Sequence, residues 1–307
     1  MATRLTGRHP WLLLSLLLLF AGNSAGAPGD TPEFTYRSNV NEVRLSFSAV
    51  DQNNHGVATL QASDFAVVDK DFIVRNFQSF IRADWTKLEL AIVLDASESV
   101  APRFRQEIAG ILDLVSQTAG VPDENVSLFT FQGLHPALLC AGNCRATNTP
   151  AIQLPAARAG GLTPLFDTVV FASDFLWQHG DPHAVKVLIL FTDGTDTISR
   201  SSLADAIDNA LASDVQIYAV DLSSPRSQGG AVLQRLADST GGRCFPVEDG
   251  GSSAMNVILE GFRATYTVSY RLPSHASGFH SVRILPTHNQ NLEFRSRSGY
   301  YYPARVR

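Results

Sequence analysis

Leu90-Ala-Ile-Val-Leu94, followed at once by Asp95-Ala-Ser97-Glu-Ser99, decides how the chain is read. An apolar run without polar alternation is what a parallel strand covered on both faces requires. Working outward, Phe104, Ile108, Ile111, Leu112 and Val115 recur at helical spacing, and Val126 to Phe131 reads as a second strand. Leu165, Phe166, Val169, Val170 and Leu176 predict a helix, and Val187 to Phe191 predicts another buried strand. A helix with Leu203, Ile207 and Leu211, a strand from Val215 to Val220 and a helix with Leu233, Leu236 and Ala237 follow. The series closes with a short strand at Cys244 and a helix carrying Met255, Ile258, Leu259 and Phe262. Strands alternating with helices at this spacing predict an α/β fold, a mainly parallel sheet wrapped by helices.

The flanks have a different grammar. Val43, Leu45 and Phe47 alternate with Arg44, Ser46 and Ser48, and Phe65 to Val68 and Phe77 to Ile81 read as further strands. After Arg263, Tyr266, Val268 and Tyr270 alternate with Thr265, Thr267 and Ser269, and Val282 to Leu285 and Leu292 to Phe294 are candidate strands. Neither flank holds enough strands to be stable alone, so the two are expected to pair into one β-sandwich. The expected organisation is a signal segment at 1–27, β segments at 33–84 and 265–303, and an α/β domain at 88–264. The run Tyr300-Tyr301-Tyr302 is expected to be a strand with one ring inside rather than an exposed aromatic patch.

Export is written into the first residues. Arg4, Arg8 and His9 precede the apolar stretch from Trp11 to Phe20, and small residues ending Ala25-Gly26-Ala27 follow. That stretch is too short for a transmembrane helix, which needs about 20 residues, and no later stretch is long enough. The chain is therefore expected to be secreted or periplasmic. Its net charge of −5 becomes more acidic without this segment, whose only charges are Arg4 and Arg8. An acidic surface with no basic run argues against nucleic acid as a partner. Cys140 and Cys144 could close a small disulfide in an oxidising compartment or clip a metal; Cys244, in an apolar run, reads as an inert buried thiol.

Three segments carry chemistry, each beside a predicted buried strand or at a helix start: Asp95-Ala-Ser97-Glu-Ser99, Gly160-Gly-Leu-Thr163-Pro-Leu165 and Thr192-Asp193-Gly194. Open α/β sheets bind ligands at the carboxyl ends of their strands. Asp95, Ser97 and Ser99 stand two residues apart on a turning loop, Thr163 adds a hydroxyl and Asp193 a second carboxylate. All are hard oxygen donors without sulfur or imidazole, a set suited to Mg²⁺ or Mn²⁺ and not to zinc. Hydroxyl ligands leave the metal much of its charge, so a partner's carboxylate can complete the shell. Asp196 reads as a solvated loop carboxylate, Asp167 as a surface or capping residue, and the histidines as surface or packing residues.

Asp-x-Ser-x-Ser, the distal Thr and Thr-Asp-Gly together resemble the metal-ion-dependent adhesion site of von Willebrand factor A (VWA) domains, with Asp95, Ser97, Ser99, Thr163 and Asp193 at the five metal positions. The resemblance covers roughly 88–264 and implies a Rossmann-like fold. It also implies a non-catalytic module that captures an Asp or Glu carboxylate of a protein partner through Mg²⁺ or Mn²⁺. The flanks, through Tyr266-Thr-Val-Ser-Tyr270 and Arg297-Ser-Gly-Tyr300, resemble a group of bacterial exported proteins with a related A-type domain. Glu98 stands where Gly is common in the family.

The competing function is a Mg²⁺-dependent hydrolase or phosphatase, with Asp95 as nucleophile and Glu98 as base. Against it, Ser97 stands where phosphoryl-transfer loops carry a second carboxylate, and no nucleophile elbow, phosphate-cradling loop or dinucleotide fingerprint is present. A third reading is a structural scaffold whose metal site is idle.

Overall fold

The computed structural model describes residues 42–53, 55–82, 88–97, 122–133, 135–142, 144, 162–223, 228–246, 258, 261–262, 264–288 and 291–304. All of them lie in one compact unit running from Asn41 to Arg307. The expected signal segment, the helix expected at Phe104 to Val115 and most of the helix expected around Ile258 lie outside the described residues.

The central sheet has six strands. β5 (Leu88–Asp95), β6 (Val126–Gln132), β8 (Val185–Thr192), β9 (Val215–Asp221) and β10 (Cys244–Pro246) are mutually parallel. β7 (His135–Ala141) pairs antiparallel on the outer edge of β6, and the order is β10-β9-β8-β5-β6-β7. Both faces are covered, as the unbroken apolar runs require: Leu90, Ile92 and Leu94 enter one core, Ala91 and Val93 the other. Helices α1 (Leu165–His179), α2 (Leu203–Ala212) and α3 (Gly229–Thr240) supply the second core with Leu165, Val169, Leu176, Ala206, Ala210, Leu233 and Leu236.

Strand β7 is legible only in three dimensions. His135-Pro-Ala-Leu-Leu-Cys-Ala141 has no β-branched residue, and Pro136 is tolerated because the strand is an edge. Near its end Cys140 is disulfide-bonded to Cys144. The pairing settles the two thiols as a clip on the sheet edge rather than a metal site. Cys244 is half-buried, and burial pushes its thiol up to about 12, so it stays protonated and unreactive.

The flanks form two four-stranded antiparallel sheets, and each mixes residues from both ends of the chain. One has the order β13-β1-β11-β4, built from β1 (Glu42–Val50), β4 (Ser79–Arg82), β11 (Thr265–Arg271) and β13 (Glu293–Ser296). The other has the order β14-β12-β2-β3, from β2 (Phe65–Asp69), β3 (Phe72–Val74), β12 (Gly278–Pro286) and β14 (Gly299–Tyr302). Phe47, Phe65, Phe80, Tyr266 and Phe294 cluster between them, with ring centroids 5.0 to 6.5 Å apart. The chain leaves at β4 and re-enters at β11, which is paired with β4, Tyr266 facing Arg82. The α/β unit is thus an insertion in a β-sandwich.

The alternation expected of β11 is not observed, because Thr265, Thr267 and Ser269 are buried along with Tyr266, Val268 and Tyr270. β11 is an interior strand, and its hydroxyl face is closed by cross-strand pairs, Ser46 with Thr267 at 3.1 Å and Ser79 with Ser269 at 2.7 Å. The closing segments resolve into a buried polar knot. The hydroxyls of Tyr270 and Tyr300 donate to Asp69 Oδ2 at 3.0 and 2.6 Å, and His280 stands beside them, fully buried. Tyr300 is the inside ring of its run, while Tyr301 and Tyr302 are half-buried.

The sandwich seats on the amino-end pole of the parallel sheet. Arg297 donates to Asp214 Oδ1, just before β9, and to the Arg44 carbonyl, both at 2.6 Å. The Ser298 amide and hydroxyl both reach the Ser239 carbonyl at 2.9 Å. The opposite pole, at the carboxyl ends of β5 and β8, is left to the three polar loops.

Candidate metal centre

The chain runs from β5 to β6 on one side and later returns to β8 on the other side of β5. Loops leaving the carboxyl ends of β5 and β8 therefore diverge, which opens a crevice between them. Asp95 is the last residue of β5 and Asp193 follows the last residue of β8, so both carboxylates stand at that switch point. Asp95 is fully buried, Ser97 and Thr163 nearly so, and Asp193 is half-exposed. Ser99 and Glu98 lie outside the described residues.

Hydrogen bonds tie the three loops together. Asp95 Oδ1 accepts from the Ser97 amide at 2.8 Å, and its Oδ2 accepts from the Thr192 hydroxyl at 2.7 Å. The Ala96 amide reaches the Phe131 carbonyl at 3.2 Å, fixing the first loop to β6. Thr163 is locked to the third loop from both sides: its amide donates to Thr197 Oγ1 at 2.7 Å, and its carbonyl accepts from the Thr197 amide at 2.9 Å. Asp193 Oδ1 accepts from the Thr195 amide at 2.9 Å, an Asx turn that orients its carboxylate.

Two glycines make the third loop possible. Gly194 has φ of +75°, a backbone that side chains disfavour. Gly229, at the start of α3, packs so closely that a Cβ there would stand 1.8 Å from the Asp193 carbonyl oxygen.

Asp196 differs from the expectation of a solvated carboxylate. It is half-buried, and its Oδ1 accepts from the Phe166 amide at 3.2 Å and the Ser199 hydroxyl at 2.6 Å. The first turn of α1 leaves amides without intrahelical partners, and an acidic side chain there satisfies one of them. Asp167, read as a surface or capping residue, is half-buried and accepts from the amides of Arg200 and Ser201 at 3.0 and 2.9 Å, tying the first turn of α1 to the segment before α2. Burial raises its carboxyl, but those amides outweigh it and the net direction is downward.

The electrostatics of Asp95 run the other way. Burial pushes its carboxyl up, the hydrogen bonds from Ser97 and Thr192 pull it down, and the charge of Asp193 pushes it up again, for a net rise. A carboxylate held against burial and the charge of a second one, with hydroxyls beside them, fits a hard divalent cation, which would offset both costs. Among the described residues no group of three or more His, Cys, Asp or Glu could hold a metal ion, so the fit rests on mixed carboxylate and hydroxyl donors. Such a cation would supply a positively charged point open to an incoming oxygen anion.

Sequence reasoning assigned no role to Thr192, which aims Asp95, or to Thr197, which clamps Thr163. A hydroxyl that ends a buried strand next to a buried Asp is the signal for the first. The second depends on contact between loops far apart in the chain.

The family model of the von Willebrand factor type A domain matches residues 89–258, more than half of the chain. A search of curated proteins finds no match. Among solved structures, the fold is similar to an aerotolerance-related membrane protein from Bacteroides fragilis NCTC 9343, at 15% identity over 57% of this chain and 98% of that one, TM-score 0.42. It is also similar to BatB from Bacteroides thetaiotaomicron, at 14% identity over 57% and 96%, TM-score 0.43. A third is proximal thread matrix protein 1 from the mussel byssus, solved with a zinc-occupied MIDAS motif, at 18% identity over 63% of this chain and 49% of that one, TM-score 0.46.

Proposed function

Because the chain belongs to the von Willebrand factor type A family, we propose that it is a metal-dependent protein-binding module rather than an enzyme. Asp95, Ser97, Ser99, Thr163 and Asp193 are the proposed ligands of a Mg²⁺ or Mn²⁺ ion, and a partner's Asp or Glu carboxylate completes the shell. The observation that carries this reading is the buried carboxylate of Asp95 with the charge of Asp193 acting on it at the switch point, on the pole away from the sandwich. The hydrolase reading gains no comparable support: both Asp95 oxygens already accept hydrogen bonds that orient the carboxylate within its own loops.

Export is part of the proposal. It is supported by the signal-like first residues and by the Cys140–Cys144 disulfide, a bond that persists in oxidising compartments. No helix among the described residues is long and apolar enough to cross a membrane. A carboxylate probe tests the partner chemistry. Glutarate titrated into the chain lacking residues 1–27 should bind in Mg²⁺ buffer and not in EDTA. Equal binding in both buffers would remove the metal-bridged carboxylate from the account.

A further inference from the structure

A second polar site lies away from the metal pole, where the sandwich meets the α/β unit. A cavity of about 280 Å³ is lined there by Ser48 and His55 from the sandwich side, Tyr218 of β9, Arg243 and Phe245 around β10, and Arg295 of β13. Among the described residues its walls bring together three donor side chains, Tyr218, Arg243 and Arg295. Tyr218 is 6% exposed, and among the described residues its hydroxyl has no hydrogen-bond partner. Its ring is held edge-on to Phe262 at 5.1 Å. Burial pushes that hydroxyl up to about 12, while the charges of Arg295 and Arg243 pull it down, so both guanidinium groups act on it.

Arg243 is half-buried and forms no ion pair among the described residues; its guanidinium lies over the Phe245 ring, 4.8 Å from the centroid. Burial lowers it, the positive charge of Arg295 lowers it further, and the carboxylate of Glu293 pulls it back up, for a net fall. Arg295 gives one nitrogen to Glu293 at 2.8 Å, while its Nε is buried without a partner. The position is built into the backbone. Gly242 passes so close to β9 that a Cβ would stand 1.9 Å from the Ile217 carbonyl oxygen, and the Arg243 carbonyl accepts from the Ala219 amide at 3.0 Å.

We propose that this cavity binds a small anion, a phosphate or a dicarboxylate, held by the Tyr218 hydroxyl and the guanidinium groups of Arg243 and Arg295. Two guanidinium groups share the single carboxylate of Glu293, which pairs with Arg295 at 2.8 Å and also acts on Arg243, so among the described residues the cavity keeps an excess of positive charge beside the Tyr218 hydroxyl and suits an acceptor with negative charge. The volume is that of roughly nine waters in the liquid, enough for either anion. The ligand would bridge the α/β unit and the sandwich, and so stabilise the native chain by mass action.

Calorimetric titration of inorganic phosphate and of malonate tests this, on the chain lacking residues 1–27. EDTA throughout keeps the metal centre silent, and sodium chloride at matched ionic strength is the control. The expected result is saturable binding of at least one anion at one site per chain. Affinity should be weakened at least tenfold in Arg243→Gln and several-fold in Tyr218→Phe, a variant that keeps the ring against Phe262. Phosphate alone binding, or malonate alone, assigns the ligand class. A remote Arg235→Gln variant should bind like the parent. No saturable binding of either anion, or unchanged affinity in Tyr218→Phe and Arg243→Gln, would overturn the proposal whatever the metal centre does.

Discussion

Asp95 is a fully buried carboxylate at the end of β5, and its burial has a testable consequence. Its carboxyl is raised above the ordinary carboxylate range by burial first, then by Asp193. In metal-free protein it therefore favours the folded state at pH below that ordinary range, and the contribution is lost as pH rises through the higher folded value. Melting temperature against pH in EDTA should fall more over that window for the parent than for Asp95→Asn, and parallel profiles would contradict the assignment. Thr192→Val removes the donor to Asp95 Oδ2 and should destabilise the protein by about 1–3 kcal/mol in urea unfolding, with weaker metal binding. At this scale the positions of Asp95 and Asp193 at strand ends and of Thr163 before a helix were legible, because apolar runs announce those boundaries. The contacts of Thr192 and Thr197 were not, because nothing in local spacing says which loop a hydroxyl will reach.

Among the elements, α3 governs the third loop through one atom's space. Gly229→Ala places a Cβ against the Asp193 carbonyl oxygen, so the Asp193 turn must shift. Metal affinity is expected to drop at least tenfold, with a lower melting temperature. A variant that binds metal like the parent would show that the loop has room to yield. The edge strand β7 makes a contrasting case. Its disulfide closes so short a loop that chain entropy limits its contribution to about 2 kcal/mol. Cys140→Ser with Cys144→Ser should cost no more than that and leave metal binding unchanged, because the clip sits on the edge of the sheet away from β5 and β8. The buried strands could be read from their apolar runs. β3 and β7 could not: edge strands bury little, and so their sequences carry little pattern.

The molecule as a whole is an α/β unit inserted between two adjacent strands of a sandwich. That plan explains why neither flank looked sufficient alone: every sheet of the sandwich needs strands from both ends of the chain. The pairing could be argued from strand counts, but the seat of the sandwich at the amino-end pole could not, since it depends on single long side chains. Arg297 is the chief of these, 12% exposed and joining Asp214, the Arg44 carbonyl and the face of Tyr300. Arg297→Ala should cost about 1–3 kcal/mol in urea unfolding while sparing the metal centre at the other pole; a loss of metal affinity would mean that the two poles communicate.

The central claim is that the carboxyl pole binds a divalent cation through Asp95. It is tested most directly by titrating Mg²⁺ and Mn²⁺ calorimetrically into the chain lacking residues 1–27 and into its Asp95→Ala variant, both shown folded by circular dichroism. The account predicts one saturable site in the parent and none in the variant. Absence of binding in the parent, or equal binding in the two, would contradict it.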